Sequence, residues 1–261
     1  MSEHDQSVIL TVEAGIARIQ FNRPASLNAI NVEMAMALRD ALLAVQRQAG
    51  VRVLHLHGAG RGFMAGGDLA SLKSDSAVRA RALISPLHEA IALLSELEIP
   101  VVAQLHGVVA GAGISIALAC DFILTGQTTR FNFAYCGIGA SPDASGSWHL
   151  PRVVGLHKAL ELLMLSEPFD AEEALRLGLV GQVIADDALV VQTEALIKRL
   201  AAAPTFALGQ TRRLLRQALQ NDLRTHLNAE CEAFCACAGS RDFALGVEAF
   251  FQRQPARFTG S

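Results

Sequence analysis

Three segments of the 261-residue chain hold residues whose types and spacing could support chemistry at a carbonyl group. Two of them, Gly62–Leu69 and His106–Gly113, are rich in glycine, and each follows a short apolar run. Small residues let backbone N–H groups approach a ligand closely, so two such loops could each donate one N–H to a carbonyl oxygen. Neither loop has the glycine spacing of a dinucleotide-binding turn or the Gly-Lys-Ser/Thr of a phosphate loop. Taken alone, each is more often a turn that needs glycine for its backbone.

The third segment, Gly137–Arg152, contains a single acidic residue, Asp143, and no other formal charge before Arg152. A carboxylate among small and apolar residues is a candidate base or nucleophile, because lost solvation makes the ionised form more reactive. The same residue could instead cap a helix that begins near Ala144. The residues alone leave both interpretations open.

The elements that must position these segments alternate between strands and helices. Val8–Val12 and Ile16–Phe21 predict a hairpin around Ala14-Gly15. Further short apolar runs predict strands at Val51–His57, Val101–Leu105 and Phe122–Thr125. Helical patterns occur at Val32–Gln48 with Asn31 as the N-cap, at Val78–Leu97 and at Ile114–Ala119. This alternation predicts an α/β fold with parallel β/α units.

Beyond about Ala188 the pattern becomes wholly helical. The predicted helices are Leu189–Ala202, Phe206–Gln217, Leu223–Ala238 and Phe243–Gln252. A helical region therefore follows the α/β body.

Composition excludes several classes of protein. A hydrophobic fraction of 51% argues against a disordered chain, and a net charge of −3 argues against a nucleic-acid-binding protein. Val101–Cys120 is long enough to cross a membrane, but Gln104, His106 and its glycine and alanine breaks favour a strand, a turn and a buried helix. The polar start Met1–Ser7 lacks the pattern of a cleavable signal. We therefore expect a cytoplasmic protein that does not associate with membranes.

Cysteine and histidine spacing does not indicate a metal site. The five cysteines cannot all pair within one chain, which favours reduced thiols. His55 and His57 alternate on a predicted strand, but the sequence offers no third ligand beside them. We expect no bound metal.

Five segments, in order along the chain, resemble the crotonase (enoyl-CoA hydratase/isomerase) superfamily. They are Asn22–Ala29 (N-R-P-x-x-x-N-A), Phe63–Leu69 (F-x-A-G-x-D-L), His106–Asp121 (G-x-x-x-G-x-G, then A-x-x-C-D), Ala174–Val180 (A-x-x-x-G-L-V), and Gly246–Phe250 with Pro255–Phe258 (G-x-x-A-F, then P-x-F). The resemblance therefore extends over nearly the whole chain.

The resemblance implies a fold and partners. The expected fold is a crotonase-like ββα spiral over residues 1–200, which would bind acyl-CoA, followed by a C-terminal helical trimerisation region over residues 201–261. The expected assembly is a homotrimer or a dimer of trimers. The expected partner is an acyl-CoA thioester, with coenzyme A present only as part of the substrate and no separate cofactor.

The resemblance also implies site residues. The backbone N–H groups of Gly67 and Ala112 would form the oxyanion hole, and alanine at 112, where the family more often has glycine, keeps that N–H. Residues in the matching coenzyme A-binding positions are Arg23, Ala25, Ala65, Asp68 and Leu69. Asp68 is more typical of a loop-shaping residue than of a catalyst.

The chain departs from the family at its acid/base residues. Hydratases of the family carry two glutamates, and the matching positions here are Ser115 and Tyr135. Asp143 matches a catalytic aspartate in dienoyl-CoA isomerases, ring-1,2-epoxyphenylacetyl-CoA isomerases and 4-chlorobenzoyl-CoA dehalogenases. The segment Pro142–Arg152 most resembles the epoxyphenylacetyl-CoA isomerases.

The resemblance thus favours an acyl-CoA isomerase in which Asp143 is the base. One alternative is an aryl-CoA dehalogenase or thioester hydrolase in which Asp143 is the nucleophile and His88 assists. Others are a hydratase-like enzyme and a non-catalytic coenzyme A-binding member. His88 is more typical of an ordinary helix histidine. Tyr135 is either a hydrogen-bond donor to the reaction intermediate or pocket lining, and lining is favoured.

Overall fold

The computed structural model describes residues 6–73 and 75–261. Most of the polar start, for which no cleavable signal is predicted, lies outside the described residues. Among the described residues, the larger sheet has six strands in the order β1-β2-β3-β4-β6-β9. Its strands are β1 (Val8–Glu13), β2 (Ile16–Phe21), β3 (Val53–Gly58), β4 (Val101–Leu105), β6 (Phe122–Gly126) and β9 (Gln182–Ile184).

The sheet is parallel after its first hairpin. β1 pairs antiparallel with β2, from Val8 opposite Phe21 to Glu13 opposite Ile16. The pairs β2–β3, β3–β4, β4–β6 and β6–β9 are all parallel. The predicted hairpin and the parallel α/β class are confirmed, with strand β3 displaced by one or two residues from its predicted bounds.

Two long helices cover one face of this sheet. α1 (Val32–Arg47) begins where the Asn31 side chain accepts a hydrogen bond from the Met34 N–H at 2.9 Å, as predicted. α2 (Ser76–Glu96) packs against α1 and buries an aliphatic face that includes Leu87 and Leu94. The largest hydrophobic core lies beneath these helices.

The opposite face of the sheet lies under helix α7 (Leu189–Ala201) and is partly polar. Its apolar cluster includes Val53, Val102 and Ile197. The imidazoles of His55 and His57 stack with ring centroids 4.8 Å apart, and Arg18 donates to His55 Nδ1 at 3.2 Å. Burial lowers the pKa of His55 to about 3 and that of His57 to about 4.

A second sheet contains three short strands that the sequence pattern does not reveal. β5 (Val108–Ala110) pairs parallel with β7 (Arg130–Asn132), and β7 pairs antiparallel with β8 (Phe169–Asp170). The sequence places residues 108–110 within a glycine loop. Two- and three-residue strands are too short to show an alternating pattern, so this sheet escapes prediction.

The remaining helices complete the described chain. α3 (Ala112–Leu118) follows β5, and α4 (Gly146–Val154), α5 (Leu156–Leu165) and α6 (Ala171–Arg176) lie between β7 and β9. α8 (Thr205–Gln217), α9 (Leu223–Ala238) and α10 (Arg241–Gln252) form the predicted C-terminal helices. Within residues 6–73 and 75–261, no helix is both long and apolar enough to cross a membrane.

Two arginines, Arg212 buried and Arg52 partly buried, attach the C-terminal region to the α/β body. Arg212 on α8 donates to Asp121 at 2.7 Å and to the Leu94 carbonyl oxygen at 2.6 Å. Arg52 donates to the carbonyl oxygen of Ala203 at 2.6 Å. These contacts hold α8 against the ends of α2 and α3.

Candidate active site

A cavity of about 360 Å³ brings the three chemically promising segments together. It is lined by both glycine loops, by the start of α2 and by the segment between β7 and α4. Its lining includes Ala65, Gly67, Leu69, Leu83, Ala112, Phe133, Tyr135, Ile138 and Asp143. Among the described residues that line it, Asp143 is the only acidic side chain. The walls are otherwise mostly apolar, which suits an acyl group.

Two backbone N–H groups at this cavity are available to a ligand. Gly67 and Ala112 both line it, and neither N–H has an acceptor within the described part of the chain. Ala112 is the first residue of α3, so its N–H has no acceptor in the helix. These are the two groups that the family resemblance assigns to the oxyanion hole, and both residues line the same cavity.

The first glycine loop is held by backbone hydrogen bonds on both sides of Gly67. Ile30 N–H donates to the Gly66 carbonyl oxygen, and Asp68 N–H donates to the Ile30 carbonyl oxygen, each at 2.8 Å. Gly66 has φ +98°, which a residue with a side chain rarely adopts. The loop therefore leaves the Gly67 N–H free while fixing its neighbours.

The second loop packs directly on the first. Ala110 N–H donates to the Met64 carbonyl oxygen at 2.9 Å. A Cβ at Gly113 would lie 2.5 Å from that same carbonyl oxygen. Glycine at 113 is thus required for the close approach of α3 to the first loop, and this approach sets the separation of the two free N–H groups.

The Asp143 carboxylate lies at the end of a short hydrogen-bond chain. Tyr135 Oη donates to Asp143 Oδ1 at 2.7 Å, and Tyr135 Oη lies 2.9 Å from Ser115 Oγ. Burial, followed by the nearby Asp143 charge, raises the pKa of Tyr135 well above its usual range. The tyrosine therefore stays protonated and acts as a donor. Tyr135 lines the cavity, as favoured from the sequence, and its hydroxyl donates to Asp143 rather than standing free.

Asp143 does not cap the helix that follows it. α4 begins at Gly146, its N-cap is Ser145, and no side chain caps it. Ala144 and Ser145 adopt left-handed φ values of 47° and 67°, which are costly for residues other than glycine. The capping interpretation of Asp143 is therefore wrong, and the strained turn points to a constrained functional position.

His88 contacts the turn rather than the carboxylate. Its Nε2 accepts a hydrogen bond from the Ala144 N–H at 3.3 Å, and its side chain is otherwise exposed. His88 lines a neighbouring cavity together with Trp148 and His149 instead of the cavity that holds Asp143. It therefore braces the backbone next to Asp143.

The residues at the predicted coenzyme A positions divide into two groups. Ala65 and Leu69 line the cavity, whereas Arg23, Ala25 and Asp68 do not. Arg23 forms an ion pair with Asp68 at 2.9 Å, so Asp68 joins the loop to the opening segment. This contact agrees with the loop-shaping interpretation of Asp68.

Asn28 has a structural role that the sequence analysis missed. It is fully buried in a left-handed conformation with φ 57°. Its side chain accepts from the Arg23 N–H and donates to the carbonyl oxygens of Ala59 and Gly62. Its fixed place in the N-R-P-x-x-x-N-A segment was the available signal.

The structure does not indicate a metal site. Within the described ranges, no three histidine, cysteine, aspartate or glutamate side chains are close enough to hold an ion.

Known proteins match nearly the whole length of this chain. Residues 11–261 match the family described as "Enoyl-CoA hydratase/isomerase". The 1,2-epoxyphenylacetyl-CoA isomerase of Escherichia coli strain K12 is 35% identical over 260 residues, covering 97% of this chain and 98% of that protein. The crotonyl-CoA hydratase of Syntrophomonas wolfei is 30% identical over 254 residues, covering 97% and 98%.

Solved structures agree with the sequence matches. An enoyl-CoA hydratase from Polaromonas sp. JS666 superposes with a TM-score of 0.90 at 30% identity, covering 96% of this chain and 99% of that one. The predicted crotonase-like fold is confirmed. The chain belongs to the enoyl-CoA hydratase/isomerase family.

Proposed function

We propose that this enzyme is an acyl-CoA isomerase that shifts a double bond, or rearranges a ring epoxide, with Asp143 as the base. One observation carries the proposal: Asp143 is the only acidic side chain, among the described residues, in the cavity that holds both free N–H groups. The E. coli relative, at 35% identity, has a name that describes an isomerase.

In the proposed reaction, the thioester oxygen accepts hydrogen bonds from the N–H groups of Gly67 and Ala112. The Asp143 carboxylate takes a proton from a carbon near the carbonyl, and the electrons of that C–H bond move into the conjugated thioester to form an enolate. The two N–H groups stabilise the negative oxygen. Asp143 then returns the proton to a different carbon, so one carboxylate is enough and no water is consumed.

The groups around Asp143 support isomerisation over water addition. The two positions that hold glutamates in hydratases are Ser115 and Tyr135, and these neutral side chains are hydrogen-bonded to each other at 2.9 Å. Activating and delivering water by the family's usual route needs both carboxylates. A hydratase-like activity would require a different group, although the similar protein from S. wolfei is named a crotonyl-CoA hydratase.

A dehalogenase or thioester hydrolase is the second candidate, because His88 lies beside the Asp143 turn. Its Nε2 already accepts the Ala144 N–H at 3.3 Å, so it is engaged with the backbone rather than with a substrate ester. This contact makes the covalent route the weaker candidate.

The proposal includes a binding mode and an assembly. Coenzyme A would be held near Arg23, Ala25, Ala65, Asp68 and Leu69, with no metal and no separate cofactor. The C-terminal helices expose large apolar side chains, including Phe250 and Phe251 at 78% each. We propose that these helices mediate the trimer or dimer of trimers.

The test is a panel of CoA thioesters with 3-enoyl, 2-enoyl, dienoyl, epoxyphenylacetyl and 4-chlorobenzoyl groups. Each product is identified by mass and chromatography with the wild type, Asp143→Asn and the surface control Asp40→Asn. The expected result is a product of unchanged mass and new retention time, lost only in Asp143→Asn. A chloride-for-hydroxyl exchange, with an aryl adduct trapped on Asp143 by His88→Gln, would instead establish the dehalogenase. Binding without turnover on any thioester would favour the non-catalytic alternative.

A further inference from the structure

Ser115 is a fully buried polar residue that does not line the active-site cavity. Its hydroxyl has one hydrogen-bond partner within the described ranges, the Tyr135 hydroxyl at 2.9 Å. Tyr135 in turn contacts Asp143 Oδ1 at 2.7 Å. The serine therefore reaches the proposed base only through the tyrosine.

The protons along this chain have one arrangement when Asp143 is ionised. A carboxylate only accepts hydrogen bonds, so the single phenolic proton of Tyr135 goes to Oδ1. Tyr135 Oη can then only accept from Ser115, which makes Ser115 the donor. The chain runs from Ser115 through Tyr135 to Asp143 Oδ1, while the other carboxylate oxygen has no hydrogen-bond partner among the described residues.

Gly146 makes room for the first member of the chain. A Cβ at residue 146 would lie 2.5 Å from Ser115 Oγ but 3.5 Å from Ser115 Cβ. The first distance is a severe overlap and the second is an ordinary contact. An alanine at 146 would therefore push the hydroxyl away from Tyr135 and leave the rest of Ser115 in place.

We propose that Ser115, Tyr135 and Gly146 form a positioning unit that anchors Asp143 Oδ1 and leaves Oδ2 to exchange protons with the substrate. The structural part stands on the contacts alone, while the catalytic consequence rests on the proposed function. Ser115 and Tyr135 are positioning residues, since their contacts reach the carboxylate and not the reacting atoms.

The first test detects the hydrogen-bond chain by NMR and does not depend on catalysis. Tyr135 is the only tyrosine in the sequence, so a protein labelled with ¹³C at the tyrosine Cζ has a single tyrosine resonance. We expect this resonance to shift in Asp143→Asn, Ser115→Ala and Gly146→Ala. It should stay unchanged in Thr193→Val, which removes a buried hydroxyl that has no hydrogen-bond partner among the described residues. An identical resonance in all of these proteins would overturn the inference.

The second test is kinetic. Tyr135→Phe should lower kcat by about 10- to 100-fold, because the ionised carboxylate loses a charge-assisted hydrogen bond. Ser115→Ala and Gly146→Ala should each lower kcat by about 3- to 10-fold with KM changed less than about twofold.

The double variant tests whether Gly146 acts through the Ser115 hydroxyl. With the hydroxyl already removed, Ser115→Ala/Gly146→Ala should have the same kcat as Ser115→Ala. Additive losses would mean that Gly146 acts through packing, and a normal kcat in Ser115→Ala would also overturn the inference. If the resonance shifts as expected but the wild type isomerises no thioester, the proposed function fails and the structural unit stands.

Discussion

The two sides of the cavity present different chemical groups, backbone N–H groups on one side and side chains on the other. The proposed oxyanion side consists of the backbone N–H groups of Gly67 and Ala112, in loops held by hydrogen bonds between main-chain atoms. The proposed acid/base side consists of the Asp143 carboxylate, held by the side chains of Tyr135 and Ser115. The first side depends on chain geometry, and the second depends on residue identity.

The departures from the family pattern differ between the two sides. Alanine stands at position 112, where the resemblance expects glycine, and Ala112 lines the cavity. Serine and tyrosine stand where the resemblance expects two glutamates, and under the proposed function this replacement removes the groups that would activate water. We therefore expect a change of residue type to be mild on the backbone side and to alter the reaction on the side-chain side.

Of the variants considered, Asp143→Asn should lower kcat most, because it removes the proposed base on the side-chain side. An amide cannot accept the substrate proton as a base, so kcat should fall by about 10³-fold while the Kd for an acyl-CoA stays within about threefold. The measurements are steady-state turnover and calorimetric binding, with Asp40→Asn as the surface control. Turnover within tenfold of the wild type would exclude Asp143 as the base.

Gly113→Ala should disturb the backbone side of the cavity. Its Cβ would overlap the Met64 carbonyl oxygen at 2.5 Å and force α3 away from the first loop. Misplacing one of two N–H donors should lower kcat by about 100-fold. Gly239→Ala, whose Cβ would meet its nearest atom at 3.6 Å, is the matched control. Thermal unfolding of both variants separates misplacement from loss of folding, and full activity in Gly113→Ala would contradict the assigned geometry.

Acid should weaken the fold where His55 and His57 stack on the sheet. The pKa of His55 lies near 3 and that of His57 near 4, so the unfolded chain binds more protons below about pH 6.5. Stability should therefore fall as pH drops from about 6.5 towards 3, by about 2 to 3 kcal/mol for each of the two histidines at pH 4.5. Urea unfolding measures this loss.

His55→Gln should flatten that pH dependence, whereas His157→Gln, at an exposed position, should leave it unchanged. Equal slopes in all three proteins would show that other groups cause the acid lability. The experiment also identifies the pH range in which an activity profile reports on Asp143 rather than on unfolding.

Ala112→Gly should have the smallest effect on kcat. The N–H of residue 112 is retained, so kcat should stay within about threefold, with a stability cost of at most about 1 kcal/mol. Steady-state kinetics and thermal unfolding test both values. A tenfold loss of kcat would mean that the methyl group, and not only the N–H, shapes the hole.

Much of the fold and the backbone half of the site could be predicted because both have local signals. The Asn31 cap, the β1–β2 hairpin and the glycine loops each occupy a few consecutive residues. The loops indicate that each could supply one N–H, and the family resemblance assigns those groups to Gly67 and Ala112. The strands of the second sheet, two or three residues long, lack such a signal.

The side-chain half could be predicted only in part, because its contacts join distant residues. Asp143 is conspicuous as an isolated charge, but Ser115 lies 20 residues before Tyr135 and contacts it only in the folded chain. His88 likewise reaches Ala144 across 56 residues. The left-handed turn at Ala144 and Ser145 contains no glycine that would have indicated it.

The most direct test of the account is the fate of labelled water. Wild-type enzyme is incubated with separate 2-enoyl-CoA and 3-enoyl-CoA thioesters in ¹⁸O-labelled water, and each product is analysed by mass spectrometry. The account predicts that both thioesters converge on the same mixture of double-bond isomers, with no ¹⁸O incorporated. A hydroxyacyl product carrying one labelled oxygen would contradict the claim that the site, where Asp143 is the only carboxylate among the described lining residues, transfers protons without adding water.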